Sequence, residues 1–359
     1  MAGIKDVAVK AGVSISTVSN VINNTKYVSP ELRRKVEDAV RDLSYQANPA
    51  ARSMKSKRTG IIGVITVDMC GMFYPYVMKG IYSVANERGY QVVICDSNVG
   101  NQGESDFQRE KELFQNLLRS QVDGIIFTSV VPKSMEERYI RWLIEAAEEG
   151  KYIPIVSTER DFTKYGVDSI TFDGRRGAYK AVEHLINCEC KKICHITGPS
   201  HMDIVNDRMN GYIEAMEDAG FVIDRNTMIV EGNFSHQSGY EGMKKILEYI
   251  PDVDGVFAGN DQMAVGIMKS LKESKINVPE DIKIVGFDDV YVSSVLEPPL
   301  TTVHIEKKEI GIAAAKILFD RIDEGGRERA VHREVIDTQL VIRQSTVKDA
   351  PAGWISTEW

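Results

Sequence analysis

Apolar positions change their period near residue 60. Before it, Ile4, Val7, Ala8 and Ala11 recur at helical spacing and predict a short amphipathic helix. Gly12 ends it, Val13 follows as a buried turn residue, and Ser14 is placed to cap a second helix over residues 15–23. Val18, Val21 and Ile22 mark the inward face of that helix. A third helix starts at Ser29-Pro30, with Ser29 as cap and Pro30 supplying a preset φ. Leu32, Val36, Ala39, Val40 and Leu43 are its expected stripe. Short helices joined by a Gly-containing turn predict a helix-turn-helix, although a purely structural bundle shares the pattern.

From residue 61 the pattern alternates between Ile/Val-rich runs and amphipathic stretches. Strands are expected at 61–65, 90–95, 124–127, 153–156, 192–196, 227–230, 255–258 and 282–287, with a short one after Pro298-Pro299. Helices are expected at 76–88, 104–119, 135–149, 176–186, 206–218, 238–249, 261–273 and 308–322. Strands of this kind between amphipathic helices mean parallel sheets covered on both faces. The rhythm restarts near residue 176, so two similar α/β lobes are expected. Ligands of such folds bind beyond the carboxyl ends of strands, here between the lobes.

Composition sharpens this picture. The 359 residues carry a net charge of −8, yet residues 1–60 hold 11 Lys+Arg against 5 Asp+Glu and the rest 33 against 47. A basic module on an acidic body confines attraction for phosphate to one end. No 18-residue apolar run is present, the N-terminus has no secretory pattern, and five cysteines are few, so a cytoplasmic protein without membrane association is expected. Cys188, Cys190, Cys194 and His195 lack the paired spacing of common zinc sites, and no phosphate-binding loop or nucleophile elbow is found. Neither a metal, a cofactor nor an enzymatic activity is expected.

The second helix of a helix-turn-helix enters the major groove with its N-terminal end. The residues exposed there are Ile15, Ser16, Thr17, Ser19 and Asn20, with Ser14 ahead of them. Ile15 suits a thymine methyl, Ser16 and Asn20 suit base edges, and Thr17 or Ser19 suits phosphate. Asn48-Pro49-Ala50-Ala51-Arg52-Ser53-Met54-Lys55 then reads either as a short helix that orders on binding or as a plain basic linker. In the first reading Met54 is suited to wedging between base steps.

Together these segments resemble the LacI/GalR family of bacterial repressors. The resemblance rests on Ile4-Lys5-Asp6-Val7-Ala8, Ala11-Gly12-Val13-Ser14, Thr17-Val18-Ser19-Asn20-Val21-Ile22-Asn23 and Asn48-Pro49-Ala50-Ala51-Arg52-Ser53-Met54, and it continues to about residue 345. It implies an all-α helix-turn-helix (1–47), a hinge (48–59), and a body of two α/β lobes resembling periplasmic binding proteins (60–345). Residues 346–359 form a tail without a leucine heptad. Discontinuous lobes are implied, one at about 60–161 plus 292–323, the other at about 162–291 plus 324–345. The resemblance also implies a homodimer on double-stranded operator DNA, contacted by Ser14, Ile15, Ser16, Thr17, Ser19 and Asn20 and by Asn48, Ala51, Arg52, Met54 and Lys55 of the hinge. Met54 stands where the family usually has Leu.

Strand ends offer the ligand candidates. Asp68, Phe73, Tyr74, Arg208, Phe234, Asn260 and Asp288 are polar or flat groups suited to a neutral polyhydroxylated molecule. The family resemblance places effector contacts at Arg208, Phe234, Asn260 and Asp288, with Phe73 and Tyr74 on the lobe-one wall. Asp173 joins them where the family often has Asp-Asn and this chain has Phe172-Asp173. Asp261 and Asp289 read more readily as caps. The expected function is a transcription regulator, a repressor, controlled by a sugar-like effector. A purine or nucleoside effector, a protein co-regulator, and a sugar-binding protein without regulatory role are the alternatives.

Overall fold

The computed structural model describes residues 2–23, 26–45, 58–97, 104–149, 152–325 and 330–353. Two compact units divide at Gly60.

The first unit holds α1 (Ile4–Ala11), α2 (Ile15–Asn23) and α3 (Pro30–Asp42). Gly12 leaves α1 in the left-handed conformation, at φ 65°, which glycine adopts without steric cost. Ser14 Oγ accepts from Thr17 N at 3.1 Å and caps α2, and Ser29 Oγ accepts from Leu32 N at 3.5 Å at the start of α3. Val7, Ala8, Ala11, Val18, Val21, Val36 and Ala39 form the core. Leu32, expected in the stripe, lies in the first turn of α3 and stays 37% exposed.

The second unit contains two six-stranded sheets. The first is ordered β11-β5-β4-β3-β1-β2, from β1 (Ile61–Thr66), β2 (Gln91–Asp96), β3 (Gly124–Phe127), β4 (Ile155–Thr158), β5 (Asp168–Phe172) and β11 (Arg333–Ile336). The second is ordered β12-β10-β9-β8-β6-β7, from β6 (Ile193–Thr197), β7 (Ile229–Glu231), β8 (Gly255–Ala258), β9 (Lys283–Asp288), β10 (Thr301–Ile305) and β12 (Thr338–Val341). All pairings are parallel except β10 with β12. The helices are α4 (Tyr74–Glu87), α5 (Glu104–Arg119), α6 (Glu136–Glu148), α7 (Gly174–Asn187), α8 (Asp203–Asp218), α9 (Arg225–Met228), α10 (His236–Tyr249), α11 (Asp261–Glu273), α12 (Val292–Val295) and α13 (Lys307–Glu324).

The lobes exchange chain at other places than expected. Residues 168–172 form β5 of the first sheet, so the first crossing falls after Phe172 rather than at 161. β10 belongs to the second sheet, whereas α13 packs on β3, β4 and β5 of the first. The second crossing therefore lies between Ile305 and Lys307. β11 pairs with β5 and β12 with β10, which puts the third between Ile336 and Thr338. β5 is not signalled by the apolar pattern because Asp168, Ser169 and Thr171 interrupt its apolar run, although all three are buried. The strand expected at 227–230 begins at Ile229, since Asp224 Oδ1 accepts from Asn226 N and turns residues 225–228 into α9.

The second sheet encloses His195, which is fully buried and stacked on Phe257 with ring centroids 4.5 Å apart. Its Nδ1 donates to the Phe257 carbonyl at 2.9 Å. Burial pushes the imidazole down to about 4. An unfolded histidine titrates near 6.5, so between these values the unfolded chain binds a proton that the folded chain refuses. Stability should therefore fall as pH drops through this window. Urea titrations at pH 7 and pH 5 are expected to show the protein losing about 2 kcal/mol more than His195→Gln. Equal losses would remove His195 from the acid response.

Candidate functional site: an interlobe cleft

In the first unit the start of α2 presents Ser14, Ile15 and Ser16 as exposed residues, with Thr17, Ser19 and Asn20 half-exposed. Ser14 Oγ lies 2.7 Å from Ser16 Oγ and 2.9 Å from Thr17 Oγ1, so one cap residue organises three hydroxyls. The expected hinge contacts Asn48, Ala51, Arg52, Met54 and Lys55 lie outside the described residues.

In the second unit a cavity of about 300 Å³ opens between the lobes. The first sheet contributes residues beyond the ends of β1 and β4, namely Asp68, Phe73, Tyr74 and Glu159, together with Phe172 at the end of β5. The second contributes Arg208 from α8 and, beyond β7, β8 and β9, Phe234, Asn260 and Asp288. This is the carboxyl-end position of a parallel α/β fold.

Arg208 organises the second wall. It is 4% exposed, and Nη1 donates to the Gly259 carbonyl at 2.5 Å while Nη2 donates to Asp288 Oδ1 at 3.0 Å. The guanidinium lies over Phe287, 3.9 Å from the ring centroid. Stacking and forked donation together need a planar cation. Asn260 holds its place through both ends of its amide: Oδ1 accepts from Met263 N at 2.8 Å, and Nδ2 donates to the Phe234 carbonyl at 3.2 Å.

Backbone strain gathers here. Glu159, Phe234 and Asp288 have φ of 70°, 66° and 100°, and Asp289 beside them has 51°. Non-glycine residues rarely adopt this region, and such outliers collect at ligand sites. Lys307 holds the Asp288-Asp289 turn, its Nζ donating to both carbonyls and to that of Ile305. The Phe234 ring covers Gly198 so closely that an added Cβ would stand 2.3 Å from the ring.

The first wall is aromatic and acidic. Phe73 meets Tyr74 edge-on at 5.3 Å and Phe172 at 6.3 Å. Tyr74 Oη donates to Glu159 Oε2 at 3.2 Å. Enclosure raises the Glu159 carboxyl to about 7, against the opposing pull of the Tyr74 hydrogen bond and of Arg208. Burial also raises Asp288, outweighing Arg208 and Lys307.

Seven of the eight ligand candidates line this cavity: Asp68, Phe73, Tyr74, Arg208, Phe234, Asn260 and Asp288. Asp173 does not. Its Oδ1 accepts from Arg176 N at 2.9 Å, and its local role is to cap α7. The cap expected of Asp261 falls to Asn260, while Asp261 is fully buried and accepts from Val290 N and Thr302 Oγ1. Asp289 is an ion-pair centre, bound by Arg343 at 2.8 Å and His304 at 2.9 Å. Glu159, Phe172, Gly198 and Lys307 were missed as site residues. Only Glu159 carried a signal, as an acid just past an Ile/Val strand.

A helix-turn-helix unit and a two-lobed body with a ligand-sized cleft define a DNA-binding regulator with a sensor body. Residues 3–48 match the bacterial regulatory proteins of the lacI family, and residues 182–346 match the periplasmic binding protein-like domain. The chain belongs to the LacI/GalR family of bacterial transcription regulators. It is 33% identical over 346 residues to the HTH-type transcriptional regulator RegA of Clostridium saccharobutylicum, covering 96% of this chain and 99% of RegA. It is 33% identical over 326 residues to the ribose operon repressor of Escherichia coli K12, covering 90% and 94%. The crystal structure of the lac repressor dimer bound to operator and the anti-inducer ONPF aligns with a TM-score of 0.83 at 27% identity, covering 96% of this chain and 99% of that one. Among the described residues no helix is long and apolar enough to cross a membrane.

Proposed function

We propose that this regulator is a cytoplasmic homodimeric repressor whose operator affinity is set by a sugar or sugar derivative in the interlobe cleft. The observation that carries this reading is the cleft itself. A forked guanidinium, an amide and carboxylates sit between flat rings, a set that matches hydroxyl pairs on one ligand edge and the apolar face of a ring. The similarity to the ribose operon repressor and to the transcriptional regulator CelR in complex with cellobiose supports it. Val93 and Ile94 leave the edge strand β2 39% and 43% exposed, and Tyr82 on α4 is 60% exposed. An apolar edge of this kind suits a second copy, which supports the dimer.

On DNA, Ile15, Ser16 and Asn20 read base edges, Thr17 and Ser19 hold phosphate, and Met54 wedges at the centre of the operator. A thermal-shift screen of the full chain against sugars and nucleosides tests the ligand reading. Stabilisation by nucleosides alone would replace it. An operator selected from random duplexes tests the reader by fluorescence anisotropy. Asn20→Ala is expected to lose about 1–3 kcal/mol on the selected site while keeping its affinity for a scrambled duplex. A parallel loss on both duplexes would make Asn20 a phosphate or structural residue.

A further inference from the structure

The charges around the cleft do not balance. Three carboxylates line it, from Asp68, Glu159 and Asp288. Asp288 is answered by Arg208 and by Lys307, whose ammonium is bound to backbone carbonyls behind it. Arg343 and His304 are engaged by Asp289, and Arg160 by Glu136 and Asp203. Asp68 has local donors, with Oδ1 accepting from Cys70 N at 3.0 Å and Gly71 N at 2.7 Å. The side chain fits there because residue 71 has no Cβ, which would stand 2.3 Å from Asp68 Oδ2. Glu159 has the Tyr74 hydroxyl on Oε2. Among the described lining residues Arg208 is the one guanidinium and His201 the one imidazole, and no lysine joins them.

We infer that the cleft selects against anionic ligands, taking sugars that present hydroxyl donors to Glu159 and rejecting their phosphate esters and uronic acids, with Glu159 as the specificity-determining residue. The inference rests on the sugar reading above. Arg208, the group best suited to an anion, already gives Nη1 to Gly259 and Nη2 to Asp288. A phosphate that took the remaining Arg208 N–H groups would share that one cation with the Asp288 carboxylate while also facing Glu159 and Asp68. Like charges a few ångströms apart in a partly desolvated site repel strongly enough to weaken binding by at least about tenfold. A hydroxyl meets the opposite situation, since both carboxylates accept hydrogen bonds.

The groups facing Glu159 are Tyr74 at the start of α4, Arg208 of α8 and Asp288 at the end of β9. Its carboxyl titrates at about 7, so it is mostly neutral at pH 6 and mostly charged at pH 8. Rejection of anions should therefore strengthen as pH rises across this range.

The test is calorimetric titration of the full chain with glucose, glucose 6-phosphate and glucuronate, and with ribose and ribose 5-phosphate, at pH 6 and pH 8. The expected result is that each anion binds at least about tenfold more weakly than its parent sugar at pH 8, with a smaller ratio at pH 6. In Glu159→Gln, which keeps the side chain's size, the ratio at pH 8 is expected to fall about tenfold. Reading a ratio cancels any general weakening of the variant. An anion that binds as well as its parent overturns the inference. So does rejection of the phosphate esters with acceptance of glucuronate, which marks size rather than charge, or an unchanged ratio in Glu159→Gln. Binding by none of the five compounds counts against the sugar reading itself and takes this inference with it, a result distinct from an anion winning.

Discussion

Arg208→Met is expected to lose effector binding by at least about 100-fold and to uncouple operator affinity from the ligand. Methionine keeps much of the stem and removes every donor. The Gly259 carbonyl and the Asp288 carboxylate, both bound by this one side chain, then face each other without a donor between them. Truncating one partner of a buried charged pair costs about 2–5 kcal/mol or more, mostly through the group left behind. Arg208→Lys is expected to fail nearly as badly. An ammonium cannot lie flat on Phe287, at 3.9 Å, while donating in two fixed directions. The readouts are titration of the full-length variant with whichever sugar stabilises the parent protein, and operator anisotropy with and without that sugar. Operator affinity in the absence of sugar reports whether the variant still folds. A normal sugar titration would take Arg208 out of the site. Coupling between the two ligands is reciprocal, so DNA must change sugar affinity in the parent by the factor by which sugar changes DNA affinity.

Much of this arrangement was legible along the chain, for reasons that separate local from assembled information. The bounds of α2, α5, β3, β8 and α11 agree with the expected ranges because caps, glycines and apolar periods lie within a few residues of one another. Arg208, Phe234, Asn260 and Asp288 were placed by family resemblance and by their position at strand ends, and the fold brings all four to one cavity. Asp173 and Asn260 mark where local reading stopped. Each precedes a helix and caps it, yet only Asn260 also faces the cavity. Nothing within a few residues separates the two, since the difference is which sheet edge each helix leaves. Lys307 lies beyond local reading for the same reason, and the strand-end position of Glu159 signals an acid without revealing its partner. Their roles depend on Tyr74 and on the Asp288-Asp289 turn, which are distant in sequence. The crossing points differ from the expected ones because β5 carries buried polar groups where the strand pattern asks for apolar ones, while β11 is short and its Arg333 and Glu334 are not buried.

One of those buried polar groups sets the second large effect. Arg321→Met is expected to destabilise the body by about 3–5 kcal/mol. Asp168 opens β5 and Arg321 lies near the end of α13, and the two are 4% and 6% exposed. They meet in a two-armed pair, Nε to Oδ2 at 2.7 Å and Nη2 to Oδ1 at 2.7 Å. Asp168 Oδ1 also accepts from His332 N at 2.7 Å, and Arg321 Nη2 donates to the Ala330 carbonyl at 2.9 Å. The pair therefore joins the strand before the first crossing, the helix after the second, and the segment leading to the third. Methionine leaves the Asp168 carboxylate buried with one backbone donor and no cation, the costly way to break such a pair. Asp168→Leu should cost a similar amount by stranding the guanidinium. The double variant Asp168→Leu, Arg321→Met should lose less than the sum of the two, because it strands neither charge. Urea unfolding of the four proteins measures all three differences. Additive losses would mean that each side chain acts through separate neighbours, and that the crossings are held by sheet pairing rather than by this ion pair.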